Sequence, residues 1–268
     1  MKSKLFYVFI TLLSGFPAQL LAQTDSVQKV NVNTTLVPSQ KHKQSNFIKI
    51  NITGILLKNY SLQFERTLSR KFSIAVAYRK MPITTLPLKN QISKIIGEDD
   101  PDTKKIIENV RLGNYAITPE IRLYLSKKGY GQGFYIAPFY RYASFEVEKF
   151  QFDYSTTTSA DDNTINLSGK LTANTGGLLM GVQKALGKHI CLDTWIIGPH
   201  IGSGSGNFSG VSTRALTPAE QDELRQQLED FDIPLTNKTV NVTANGASLK
   251  LDGPWAGVRA GLSIGVKF

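Results

Sequence analysis

From Asn46 onward the chain is dominated by short segments in which apolar and polar residues alternate, each closed off by Gly, Asn, Ser or Lys. Phe72, Ile74, Val76 and Tyr78 stand against Ser73, Ala75, Ala77 and Arg79. Tyr60, Leu62 and Phe64 oppose Ser61, Gln63 and Glu65, and Ile117, Ile121, Leu123 and Leu125 oppose Thr118, Glu120, Arg122 and Tyr124. The last segment sets Ala256, Val258, Ala260, Leu262, Ile264, Val266 and Phe268 against Gly257, Arg259, Gly261, Ser263, Gly265 and Lys267. A strand points successive Cβ atoms to opposite faces, so this period predicts strands with one apolar and one polar face. Eight such segments are legible, at 46–53, 59–67, 71–80, 114–126, 133–146, 165–183, 189–200 and 255–268.

The connections decide which all-β architecture to expect. Those at 68–70, 127–132 and 184–188 are short, whereas 81–113, 147–164 and 201–254 are long; only 54–58 breaks the rhythm. After the N-terminal region no run of 18 apolar residues occurs, which excludes helical membrane spans. Even strand number, short turns at one end and long loops at the other describe an outer-membrane barrel, in which closure leaves no edge unpaired. The expected fold is therefore an all-β, eight-stranded antiparallel transmembrane β-barrel with short helices in two of its long loops.

The N-terminus carries Lys2 and Lys4, the apolar run Leu5–Leu13 and small Ala22, the layout of a secretory signal peptide. The expected organisation is a signal peptide over 1–22, a polar leader over 23–45 and the barrel over 46–268. Losing Lys2 and Lys4 lowers the formal charge from +10 to +8. That balance suits anionic surfaces, while export argues against nucleic acid as a partner. The single cysteine, Cys191, has no internal disulfide partner and reads as a packed small side chain.

In such a barrel the polar face points inward. Alternation places Glu65, Arg79, Glu120, Arg122, Arg141, Asp193 and Arg259 there. A narrow barrel is filled by side chains rather than open, and opposed charges inside it pair because lone buried charges are costly. Tyr60, Phe72, Tyr78, Phe134, Tyr135, Tyr140, Tyr142 and Trp255 are placed as interfacial aromatics. Two long loops carry helical patterns. One has Leu88, Ile92, Ile95 and Ile96 after Pro87; the other has Thr217, Pro218 and Glu220 as a capping box before Leu224, Leu228 and Phe231. No zinc or calcium spacing appears, and no metal or cofactor is expected.

The ending Leu262-Ser263-Ile264-Gly265-Val266-Lys267-Phe268 resembles the C-terminal signal read by the outer-membrane assembly machinery. The stretch Gly54-Ile55-Leu56-Leu57-Lys58-Asn59-Tyr60-Ser61-Leu62-Gln63-Phe64-Glu65-Arg66, followed by Arg70-Lys71-Phe72-Ser73, resembles the start of an uncharacterised family of small barrel proteins common in Bacteroidetes. The resemblance covers 46–268 and implies an outer-membrane location and an eight-stranded barrel. It supplies no catalytic residues.

The function expected from these readings is a non-enzymatic outer-membrane barrel with a structural, adhesive or surface-interaction role. Its expected partners are outer-membrane lipid and lipopolysaccharide, and the assembly machinery through Phe268. Three alternatives stand beside it: a lipopolysaccharide-modifying enzyme, a narrow channel, and a soluble secreted β-sandwich or lipid-binding barrel that would bury the apolar faces inside. The enzyme would need a histidine activating a serine. His200, with Ser203 and Ser205 close in sequence, is the candidate by height, whereas His42 lies in the leader and His189 near the opposite turn.

Overall fold

The computed structural model describes residues 45–87, 89, 107–128, 130–153, 164–230 and 235–268. The proposed signal peptide, nearly all of the leader, the helical pattern at Leu88–Ile96 and Phe231 lie outside these residues. Nine strands are present: β1 (Asn46–Asn51), β2 (Tyr60–Thr67), β3 (Phe72–Thr85), β4 (Arg111–Tyr124), β5 (Gly133–Asp153), β6 (Thr164–Leu186), β7 (Ile190–Val211), β8 (Asn237–Thr243) and β9 (Gly246–Lys267). Two helices accompany them, α1 (Ile52–Leu56) and α2 (Pro218–Asp230), and residues 107–109 form a further helical turn. No helix among the described residues is long and apolar enough to cross a membrane.

All pairing is antiparallel, in the order β1-β2-β3-β4-β5-β6-β7-β9-β8, and β1 also pairs with β9. The tight turns at 68–71, 125–132 and 187–189 mark the lower end. The expected eight-stranded transmembrane barrel is corrected here. The sheet has nine strands, and it does not close evenly. β1 meets β9 over a short stretch, Phe47–Asn51 against Ser263–Lys267, with Asn46 and Phe268 bonded at its end. Higher up, β9 is joined instead by β8, which pairs Asn237–Thr243 with Gly246–Asp252. The long loops are also not what was expected. Much of 147–164, 201–211 and 246–254 is strand, so β5, β6, β7 and β9 reach 21, 23, 22 and 22 residues.

Facing explains why these extensions are hidden in the sequence. In the lower half the outward residues are apolar, among them Ile48, Leu62, Phe64, Ile74, Val76, Ile121, Met180, Ile197 and Val266, all exposed. The inward residues there are polar, including Lys49, Gln63, Glu65, Thr118, Glu120, Arg122, Gln183 and Asp193, all buried. In the upper half the pattern inverts. Leu112, Phe145, Val147, Ile165, Leu167, Leu171, Phe208, Leu249 and Leu251 turn inward into one core with Leu224 and Leu228 of α2. Asn166, Ser168, Lys170, Ser205, Asn207 and Lys250 face outward. Within β6 the apolar parity thus flips from Ile165, Leu167 and Leu171 to Leu178, Met180 and Val182. A single alternation template cancels across such a switch.

The local chemistry at the upper end is conventional. Asn51 caps α1 by accepting a hydrogen bond from Gly54 N at 2.6 Å. Thr217 and Glu220 form a reciprocal box at the start of α2: Glu220 N donates to Thr217 Oγ1 at 3.4 Å, and Thr217 N donates to Glu220 Oε2 at 2.9 Å. Arg214 adds a fork to the same carboxylate, at 3.0 Å and 2.5 Å. These bonds hold the Glu220 carboxyl down to about 2, with the Arg214 guanidinium as the chief cause. Two aromatics placed at an outer girdle point inward instead: Tyr135 is fully buried, and Trp255 packs on Phe145 at 5.3 Å between ring centroids.

Candidate functional site

The inner face of the lower half holds a lattice of charges to which every strand except β8 contributes. Arg122 of β4 is its hub. Its Nη1 donates to Asp193 Oδ2 at 2.7 Å and to Glu65 Oε2 at 3.1 Å, its Nε to Glu120 Oε1 at 2.7 Å, and its Nη2 to Gln63 Oε1 at 3.0 Å. Lys49 of β1 donates to Asp193 Oδ2 at 2.8 Å and is also ion-paired with Glu65. Glu65 accepts from Tyr124 Oη at 2.7 Å and from Ser73 Oγ at 2.5 Å. Tyr135 Oη donates to Asp193 Oδ1 at 2.8 Å.

Arg259 of β9 reaches Glu120 Oε2 at 3.1 Å and lies over Phe139 and Trp195, 4.5 Å and 4.8 Å from the ring centroids. Arg122 stacks in the same way on Tyr135, at 4.4 Å. Each carboxylate therefore has at least two charged or hydroxyl donors, as buried charges require. Gln183 turns its oxygen to Arg122 and Tyr124 and leaves Nε2 without a partner.

A second group lies directly above this lattice, where the inner face changes from polar to apolar. Arg79 comes from β3, Arg141 from β5 and His200 from β7, with Arg259 beneath. Arg79 and Arg259 bear electrostatically on Arg141, and all three arginines bear on His200. Arg141 and His200 are each only 7% exposed. No carboxylate among the described residues pairs with Arg79 or Arg141. Arg79 Nε and His200 Nδ1 are buried without hydrogen-bond partners. The local contacts of the group are apolar or neutral: His200 meets the Phe139 ring edge-on at 5.9 Å, and Thr175 Oγ1 donates to the Arg141 carbonyl at 3.4 Å.

The seven charged residues expected inside the fold are thus divided. Glu65, Glu120, Arg122, Asp193 and Arg259 join the lattice, while Arg79 and Arg141 pair with no acid among the described residues. Lys49, Gln63, Ser73, Gln183, Tyr124 and Tyr135 complete the arrangement but were not singled out as site residues. Lys49 sits between Ile48 and Ile50 in strict alternation, a signal sufficient to place it inside.

The catalytic alternative is overturned by facing. His200 points inward, whereas Ser203 and Ser205 lie on the exposed outer side of β7, so neither hydroxyl can receive activation from the imidazole. The channel alternative meets an inner face filled by the paired charges. The structural, adhesive or surface-interaction role rested on an evenly closed eight-stranded barrel, and it falls with that architecture. So do the lipid, lipopolysaccharide and assembly-machinery partners. Phe268 is tied back into the sheet, exchanging backbone hydrogen bonds with Asn46 at 2.9 Å and 3.0 Å. No family model matches the chain, and neither curated proteins nor solved structures give a match.

Proposed function

We propose that this chain is a binding protein for small anionic solutes, received by Arg79, Arg141 and His200 on the inner face. One observation carries the reading. Among the described residues, Lys49, Arg79, Arg122, Arg141 and Arg259 share the inner face with Glu65, Glu120 and Asp193, and the surplus falls on the guanidinium groups of Arg79 and Arg141. A buried charge without a partner is costly, and unsatisfied buried polar groups call for a specific explanation. An anion between Arg79 and Arg141 removes both problems through charge-assisted hydrogen bonds. Equilibrium dialysis of the purified full chain with labelled inorganic phosphate tests this. Saturable binding is expected in the parent chain and in Lys170→Gln, whose lysine lies on the outer face. Arg141→Gln is expected to lose it. Equal binding by Arg141→Gln and the parent overturns the reading.

For location we propose the bacterial outer membrane. The support is the exposed apolar belt of the lower half, far larger than the few hundred Å² typical of a protein surface in water, together with the export-signal pattern at 1–22. The resemblance at 54–66 and 70–73 to the uncharacterised Bacteroidetes family is consistent with that location and is likewise a proposal. Density separation of inner and outer membranes, probed with antibody against the chain, decides it: recovery in the periplasmic fraction refutes the location.

A further inference from the structure

Resting on the anion-binding reading, we infer that the ligand is a compact dianion of the phosphate or sulfate kind, held whole between Arg79, Arg141 and His200. Charge favours a dianion. Among the described residues no acid pairs with the Arg79 or Arg141 guanidinium, so a monoanion leaves one charge uncompensated, whereas a dianion neutralises both.

Direction favours a tetrahedral ligand. The donors come from three different strands, β3, β5 and β7, with no two adjacent in the sheet, so they approach the space between them from separate sides. A tetrahedral oxyanion presents oxygens in all those directions, while a planar carboxylate satisfies one fork well and the others poorly. His200 Nδ1, buried and unpartnered, adds one more position for a ligand hydrogen bond.

Packing around the group favours a small ligand. Beneath the group lie the Phe139 and Trp195 rings with Arg259 stacked on them. One inward position further up, the upper core begins at Met81 on β3 and Ala143 on β5, with Ala173 on the neighbouring β6, and continues into Phe145 and Trp255. Packed side chains thus bound the group below and, on β3 and β5, above, which favours a compact ligand over one with a bulky apolar extension. The inward residues on the strands between these donors, Ala116 on β4 and Thr175 on β6, are small and buried, so no large side chain competes for the position.

Calorimetric titration of the purified full chain, at fixed ionic strength, separates these claims. Sulfate and hydrogen phosphate are expected to bind at one per chain, at least about tenfold tighter than acetate or chloride. Arg79→Gln and Arg141→Gln are each expected to weaken sulfate by about tenfold or more. Acetate binding as tightly as sulfate overturns the dianion assignment and leaves anion binding standing. Octyl phosphate binding more tightly than inorganic phosphate overturns the compact-ligand assignment alone. No binding by any of these anions overturns the underlying reading as well. A thermal readout guards against misfolded variants: sulfate is expected to raise the melting temperature of the parent chain but not that of Arg141→Gln. An equal rise in both refutes the assignment of the site.

Discussion

Arg122 and Arg141 are chemically identical and both buried, yet the structure gives them opposite energetic roles. Arg122 offsets Asp193, Glu65 and Glu120 at once. Arg122→Leu strands those carboxylates and is expected to destabilise the fold by about 3–5 kcal/mol, measured by denaturant unfolding. Arg141→Leu removes an uncompensated charge and is expected to stabilise the chain in anion-free buffer. If the two variants shift the midpoint in the same direction, the division of the inner charges into lattice and surplus is wrong. A third residue tests how tightly the lattice is packed. A Cβ on Gly181 would lie 2.5 Å from Tyr135 Oη, so Gly181→Ala is expected to push that hydroxyl off Asp193 and lower the midpoint. Much of this chemistry was legible from alternation alone, because period two assigns a face to Glu65, Glu120, Arg122 and Asp193. Which charges pair was not legible. Lys49 and Asp193 are 144 residues apart, and only the register of β1, β9 and β7 brings them together.

At the scale of elements, α2 is the part whose stability should respond to acid. The Glu220 carboxyl is held below its ordinary 4.5, to about 2, by Arg214 and by the Thr217 cap. Because the folded value is depressed, its contribution is fully present above about pH 4.5 and is lost as pH falls toward 2. Amide exchange in α2 is expected to quicken over that window in the parent chain and to lose this dependence in Glu220→Gln. Unchanged acid sensitivity in the variant refutes the assignment to this box. The start of α2 was readable because capping chemistry is local: Thr217, Pro218 and Glu220 are consecutive or nearly so. The upper reaches of β5, β6, β7 and β9 were not readable, since their apolar residues change parity midway. Runs such as Gly202-Ser203-Gly204-Ser205-Gly206 look like loop by composition and are strand only because β6 and β9 pair on either side. β8 was missed for a related reason, its seven residues carrying only Val240 and Val242 as apolar markers.

For the molecule as a whole, the decisive fact is that the sheet has an apolar exterior below and a polar exterior above. Position then matters more than residue type. Val76 and Asn207 are both outward and exposed, but Val76 lies in the apolar belt and Asn207 in the polar region. If the belt occupies the proposed location, Val76→Lys is expected to reduce the folded protein recovered with membranes sharply, and Asn207→Lys to leave it unchanged. Equal recovery of both variants counts against that placement.

The inversion also means that no single solvent suits the folded chain. In water the lower half exposes its aliphatic side chains, and self-association through that half is the default fate. In a purely apolar medium the serines, asparagines and lysines of the upper half lose their hydration. If the chain occupies the location proposed above, the change of facing along β6 and β9 would act as a depth gauge written into the strands.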